Sequence, residues 1–293
     1  MRRPVKVLCA VVTAGVVTAA GVPAASASPV TCGASITEDV VLERSLTGCD
    51  AGLIVAADGV TIDLAGHVIA GTGTAGSVGI QAQGRTGVTV EGGTIRGFDQ
   101  GVELADTTDT SVERIVVTGA TDTGISLLRA QGAAITRSVV TGSGTGIRAL
   151  FGDALIDGNV AARNDLGIVA AFGEGGIRRN VVSGNEREGV SVVRFSATGG
   201  VERNVATQNG GTGIRSEDSH GRYTANVVSH NGGDGMRVFD LLPDHGRFFT
   251  VDRNVALANA GVGLAVPPGT IDGGRNRAHA NGGPEQCINL VCG

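Results

Sequence analysis

Apolar and polar residues alternate along this chain in runs of only a few positions, as in Val60-Thr61-Ile62-Asp63-Leu64 and Val201-Glu202-Arg203-Asn204-Val205-Ala206. Short alternations rich in β-branched side chains predict strands rather than helices. The runs return on a fixed period. A glycine followed by an aliphatic residue occurs at Gly79-Ile80, Gly101-Val102, Gly124-Ile125, Gly146-Ile147, Gly167-Ile168, Gly189-Val190, Gly213-Ile214, Gly235-Met236 and Gly263-Leu264, in steps of 22, 23, 22, 21, 22, 24, 22 and 28 residues. Such regularity predicts a solenoid of stacked coils. Leucine-rich repeats share the length, but their L-x-x-L-x-L frame is missing, and no Pro-punctuated helix pair appears.

Each coil also carries an aliphatic residue followed by asparagines three and eight places later. One column runs Asn159, Asn180, Asn204, Asn226, Asn254, Asn276 and the other Asn164, Asn185, Asn209, Asn231, Asn259, Asn281. Toward the N-terminus the first becomes Ser138, Ile115 and Gly93, and the second Ser143, Ala120 and Phe98. A position that takes Ile or Phe in one coil and Asn in another is an interior position. There an amide bonds the backbone at a bend and the next Asn along the stack, so these residues are expected to be structural.

Composition narrows the picture further. Glycine supplies 49 of 293 residues without a collagen period, while 41% apolar residues exclude plain disorder; the glycines are expected to mark turns between strands. Aromatics make up 3%, with no Trp and one Tyr, so a Trp-lined sugar platform has no material. Residues 1–27 read as a signal peptide: Arg2, Arg3 and Lys6, a Val/Ala/Leu run, then Ala25-Ser26-Ala27 as the cleavage site. Its removal takes the net charge from -5 to -8 and removes the sole lysine, Lys6. An exported, acidic, lysine-free chain excludes lysine-based catalysis and argues against a nucleic-acid partner. No other segment reads as a membrane span, and the expected state is a monomer. Four cysteines remain, Cys32, Cys49, Cys287 and Cys292. Three disulfide pairings are formally open. The local one, Cys32 with Cys49 and Cys287 with Cys292, suits a long molecule, whereas a zinc site would require the two ends to meet.

Three short strands per coil, asparagine ladders at the bends and a 21 to 24 residue coil resemble the right-handed parallel β-helix of the pectate-lyase-like superfamily. The resemblance implies an all-β, single-stranded right-handed parallel β-helix of about ten rungs with disulfide-stapled ends. The expected parts are an N-terminal cap over 28–58, repeats over 59–283 and a C-terminal cap over 284–293. This fold hosts lyases, hydrolases, epimerases, adhesins and metal-delivery proteins, so it does not fix an activity. Polygalacturonase-like Asn-Thr-Asp, Asp-Asp, Gly-His-Gly and Arg-x-Lys motifs are absent as such, and Pro243-Asp244-His245-Gly246 scrambles the Asp-Pro-His-Asp of alginate epimerases. Copper delivery would call for Met, Cys or His clusters.

Chemistry must therefore sit on the outside. Five residues after each glycine marker stand Gly84, Asp106, Arg129, Phe151, Phe172, Arg194, Asp218, Asp240 and Pro268. Asp218 and Asp240 fall in register on consecutive coils, about 4.8 Å apart by strand spacing, as do Arg215 and Arg237. Together with His220 they form the expected catalytic set: Asp218, Asp240, His220 and Arg237, for acid/base work on a glycosidic bond. Arg194, Arg215, Glu217, Arg222, Asp244, His245 and Arg247 are the expected substrate-binding set. Calcium between Asp218 and Asp240 is the alternative use of the acid pair. An extracellular polysaccharide is the expected partner; a non-catalytic scaffold or adhesin is the other reading, in which the cluster is a solvated salt-bridge network. A second row, Arg114, Arg137, Arg179, Arg203 and Arg253, would either track an anionic glycan or be neutralised by Glu113, Glu202 and Asp252. Phe151 and Phe172 are expected to stack, packed into the core or a loop.

Overall fold

The computed structural model describes residues 30–240 and 249–293. Residues 1–27, read as a signal peptide, and Asp244, His245 and Arg247 lie outside them. The described chain is a right-handed parallel β-solenoid of about eleven turns with three strands per turn and no helix. Sheet 1 has 12 strands, from Ser35–Ile36 to Cys287–Ile288. Sheets 2 and 3 have 11 each, from Val40–Val41 to Ile271–Gly274 and from Leu46–Cys49 to Arg277–His279. Strand residues pair with their counterparts one coil on, apart from register shifts such as that between Ala197 and Val201, so Val190, Ile214, Met236 and Leu264 form one row of sheet 1. These rows fill the interior with stacked Ile, Val, Leu and Ala.

Each coil turns three corners, and at each the backbone enters the left-handed region. After sheet 1 the column is Gly84, Asp106, Arg129, Phe151, Phe172, Arg194 and Asp218; after sheet 2 it includes Arg114, Arg137, Arg179, Arg203 and Arg253; after sheet 3, Gly119, Gly142, Arg163 and Gln208. The two asparagine columns follow the second and third corners directly. Asn204 shows the arrangement. Its Nδ2 donates to Ile177 O (2.8 Å) and Asn226 Oδ1 (3.0 Å), and its Oδ1 accepts from Asn180 N and Nδ2 (both 3.0 Å). The ladders end within the last coil: Asn281 N and Nδ2 both donate to Gln286 Oε1 (3.0 and 2.9 Å), and Asn276 Nδ2 donates to Asp272 Oδ1 (3.1 Å).

The periodic glycines have a different role from the one expected. Gly189 and Gly213 stand at the mouth of a sheet 1 strand, outside the left-handed region. A Cβ on Gly189 would lie 2.6 Å from Gly213 O and 2.7 Å from Asn209 Nδ2. The marker column is glycine because the next coil's carbonyl and ladder amide occupy the space. Turn glycines form the separate column that includes Gly119 and Gly142. The arginine row sits at the second corner and is neutralised where it is paired: Arg114 with Glu91 and Glu113, Arg179 with Asp157, Arg253 with Asp252. Disulfides join Cys32 to Cys49 within the first coil and Cys287 to Cys292 at the last strand.

Candidate functional site

The corner between sheets 1 and 2 is where chemistry-bearing side chains gather. Glu217 pairs with Phe239, so the next residues, Asp218 and Asp240, follow each other on adjacent coils. Asp218 N donates to Phe239 O at 3.1 Å. The Asp218 side chain is 1% exposed, and its Oδ2 lies 3.5 Å from Nε of Arg194, which is 57% exposed. The Asp218 carboxyl lies in the wall, and the guanidinium of the preceding coil stays outside. Asp240 is half-buried and is the last described residue before the longest insertion. The same pairing recurs lower down. Arg129 reaches Asp106 with Nε at 2.5 Å and Nη2 at 2.9 Å, and this hydrogen bonding holds the Asp106 carboxyl below the usual carboxylate range.

The remaining candidates divide between the two sheets. On sheet 1, Arg215 and Arg237 pair in register. Arg215 donates to Glu217 Oε2 at 2.6 Å, and its guanidinium stands 4.8 Å above the centre of the Phe239 ring. Arg237 donates instead to Asp234 Oδ2 at 2.8 Å. On sheet 2, His220 Nε2 shares a hydrogen bond of 2.7 Å with Ser196 Oγ, and Arg222 lies 3.9 Å from Glu202 Oε1. The corner thus stands between Arg215, Glu217 and Arg237 on one face and His220 and Arg222 on the other. Beneath it Ser216 Oγ and Tyr223 Oη hydrogen-bond at 2.6 Å inside the core. Burial drives the Tyr223 phenol up to about 12, against a smaller opposing effect of Ser216.

Asp234, Ser196 and Phe239 were not among the expected site residues. Register arithmetic holds the signal for two of them: Ser196 is one coil below His220, and Phe239 one coil above Glu217. Among the described residues no group of three or more His, Cys, Asp or Glu side chains is placed to hold a metal ion. No helix among the described residues is long and apolar enough to cross a membrane.

Residues 123–270, just over half the chain, match the family described as right handed beta helix region. No curated protein is detectably similar in sequence. Among solved structures, the periplasmic alginate epimerase AlgG is similar with a TM-score of 0.54 and 14% identity, over 86% of this chain and 70% of that one. An alginate lyase from Paenibacillus gives 0.55 and 13%, over 74% of this chain and 88% of that one. The A-module of a mannuronan C-5 epimerase from Azotobacter vinelandii gives 0.54 and 15%, over 88% and 89%. At these identities the likeness is one of fold.

Proposed function

Because this chain belongs to the right-handed β-helix family, whose outer faces rather than its fold set function, we propose that it is a secreted protein that binds an extracellular polysaccharide along the corner between sheets 1 and 2, around Asp218 and Asp240. The carrying observation is the buried Asp218 carboxylate beside the exposed Arg194 guanidinium, one coil below Asp240. A guanidinium oriented by a buried acid presents its fork to sugar carboxylates or hydroxyls at little entropic cost. Arg215, lying over Phe239, adds a second oriented guanidinium on sheet 1. Two disulfides suit an oxidising compartment, and of the similar structures named above two carry alginate in their names and the third mannuronan.

Turnover is the finer part of this reading. The Asp218 and Asp240 backbones follow one strand spacing apart, about 4.8 Å, and carboxyls about 5 Å apart can divide the roles of proton donor and nucleophile or base. The alternative, a non-catalytic scaffold, is favoured by the engagement of Arg237 with Asp234 and of His220 with Ser196. The test is to incubate the protein with alginate and polygalacturonate, with and without calcium, following unsaturated ends, reducing ends and epimer composition. Turnover lost in Asp218→Asn and Asp240→Asn supports the enzyme; binding without turnover supports the scaffold. Neither binding nor turnover on any polysaccharide overturns the proposal.

A further inference from the structure

Phe151 and Phe172 were expected to stack, packed into the core or a loop. They are instead 49% and 45% exposed. Their rings stack with centroids 5.1 Å apart and planes 12° from parallel. Both occupy the left-handed corner, with φ of 59° and 56°, a conformation in which a bulky side chain is an outlier. In contrast Phe98, Phe195, Tyr223 and Phe249 are buried. A chain this poor in aromatics therefore places two of them together on its surface.

Beside the rings lies a shallow trough of 280 Å³, close to the lower bound of small-ligand sites, about 300 Å³. Its floor is Gly152 and Gly173, where a Cβ would collide with the backbone of the coil below. The floor is thus bare by construction. Opposite the rings stand Gln131, Glu174 and Ser196, and Ser196 hydrogen-bonds onward to His220. Among the described residues Glu174 is the one charged side chain lining the trough. The arginines directly below and above the phenylalanines, Arg129 and Arg194, are turned to Asp106 and Asp218.

An apolar strip on one wall and an amide, a carboxylate and a hydroxyl on the other match a ring with one C–H face and a rim of hydroxyls. A carboxylate accepts from sugar hydroxyls but repels a uronate. We propose that this trough is a subsite for an uncharged pyranose residue of the glycan. The inference rests on the polysaccharide reading for its ligand class and on the trough alone for its charge.

Calorimetric titration with cello-, manno- and laminarihexaose, and with the hexamers of alginate and galacturonate, tests it. A neutral hexamer is expected to bind at least as tightly as either acidic one. F151N/F172N is expected to weaken neutral binding tenfold or more while its unfolding midpoint stays at or above that of the wild type, because Asn tolerates a left-handed backbone better than Phe. F151Y/F172Y, which keeps the rings, should retain binding. Unchanged affinity in F151N/F172N, or binding of acidic hexamers alone, overturns the subsite and leaves the wider reading standing; no binding of any hexamer overturns both. Should F151N/F172N fail to fold, F151G/F172G, carrying the residue that Gly84 supplies at the same corner, replaces it under the same criteria.

Discussion

Truncating Asn204 isolates what a single ladder amide contributes. Asn204→Ala removes four hydrogen bonds, but their loss falls unevenly. Asn180 Nδ2 keeps Ile156 O at 2.9 Å, and Asn226 Oδ1 keeps Asn204 N at 3.0 Å. The group left without a partner is the buried Asn180 N–H; the Ile177 carbonyl loses one of two, because the ladder that pairs Arg178 with Glu202 keeps Glu202 N–H on it. A buried group left unmet costs about 1 to 3 kcal/mol, so the variant should lose about 2 kcal/mol. The chain itself supplies the control. Ser138, in the same column, accepts from Ile115 N at 3.3 Å and donates to Thr136 O at 3.0 Å. By analogy Asn204→Ser retains a partner for Asn180 N–H and takes from the Ile177 carbonyl one of its two partners, for a loss of about 1 kcal/mol. With no Trp in the chain, urea unfolding is followed by far-ultraviolet circular dichroism, and hydrogen exchange at the Asn180 amide gives the local reading. An Ala variant within about 0.5 kcal/mol of wild type, or a Ser variant no better than Ala, refutes this account.

Two further outcomes follow from groups away from the candidate site. Tyr223 is the sole tyrosine, so absorbance at the phenolate band should show one titration near 12 in the folded protein, driven there by burial. Since the folded phenol holds its proton above the unfolded value near 10, its contribution to stability is complete below pH 10 and declines toward pH 12, by at most about 1.4 kcal/mol per pH unit; titration near 10 with the fold intact contradicts this. The Cys32–Cys49 disulfide closes a longer loop than Cys287–Cys292, with separations of 17 and 5 residues. Chain entropy then assigns about 3 kcal/mol to the first and about 2 kcal/mol to the second, and Cys-to-Ser pairs compared by urea unfolding should preserve that order.

The period of the sequence made the fold legible, because in-register stacking turns a linear spacing into a spatial column: Ser138, Asn159, Asn180 and Asn204 are neighbours for that reason alone. The local disulfides followed from the same elongated shape. Spacing says which residues stack but not which way a corner residue points. Asp106, Arg129, Phe151, Phe172, Arg194 and Asp218 share one column and one left-handed backbone, yet Asp218 turns into the wall while the phenylalanines stand in solvent. That difference depends on side-chain size, charge and the coil below, none of which is periodic. For the same reason the marker glycines were read as turns: exclusion of a Cβ by a carbonyl one coil away leaves no trace within the coil. Site residues split for a related reason, since a few positions along the chain carry it from the face of Arg215 and Glu217 around the corner to that of His220.

The asparagine ladders have a direction. Each amide donates toward the C-terminus and accepts from the N-terminal side, and Gln286 and Asp272 supply the final acceptors from within the last coil. A coil duplicated upstream would join the relay, because Asn receives and passes on the same bonds. One appended after the last coil would bring acceptors to Asn276 and Asn281, whose donors are already engaged. Lengthening by internal duplication is therefore permitted only from the interior or the N-terminal side, and the C-terminal end acts as the molecule's built-in measure of where counting stops.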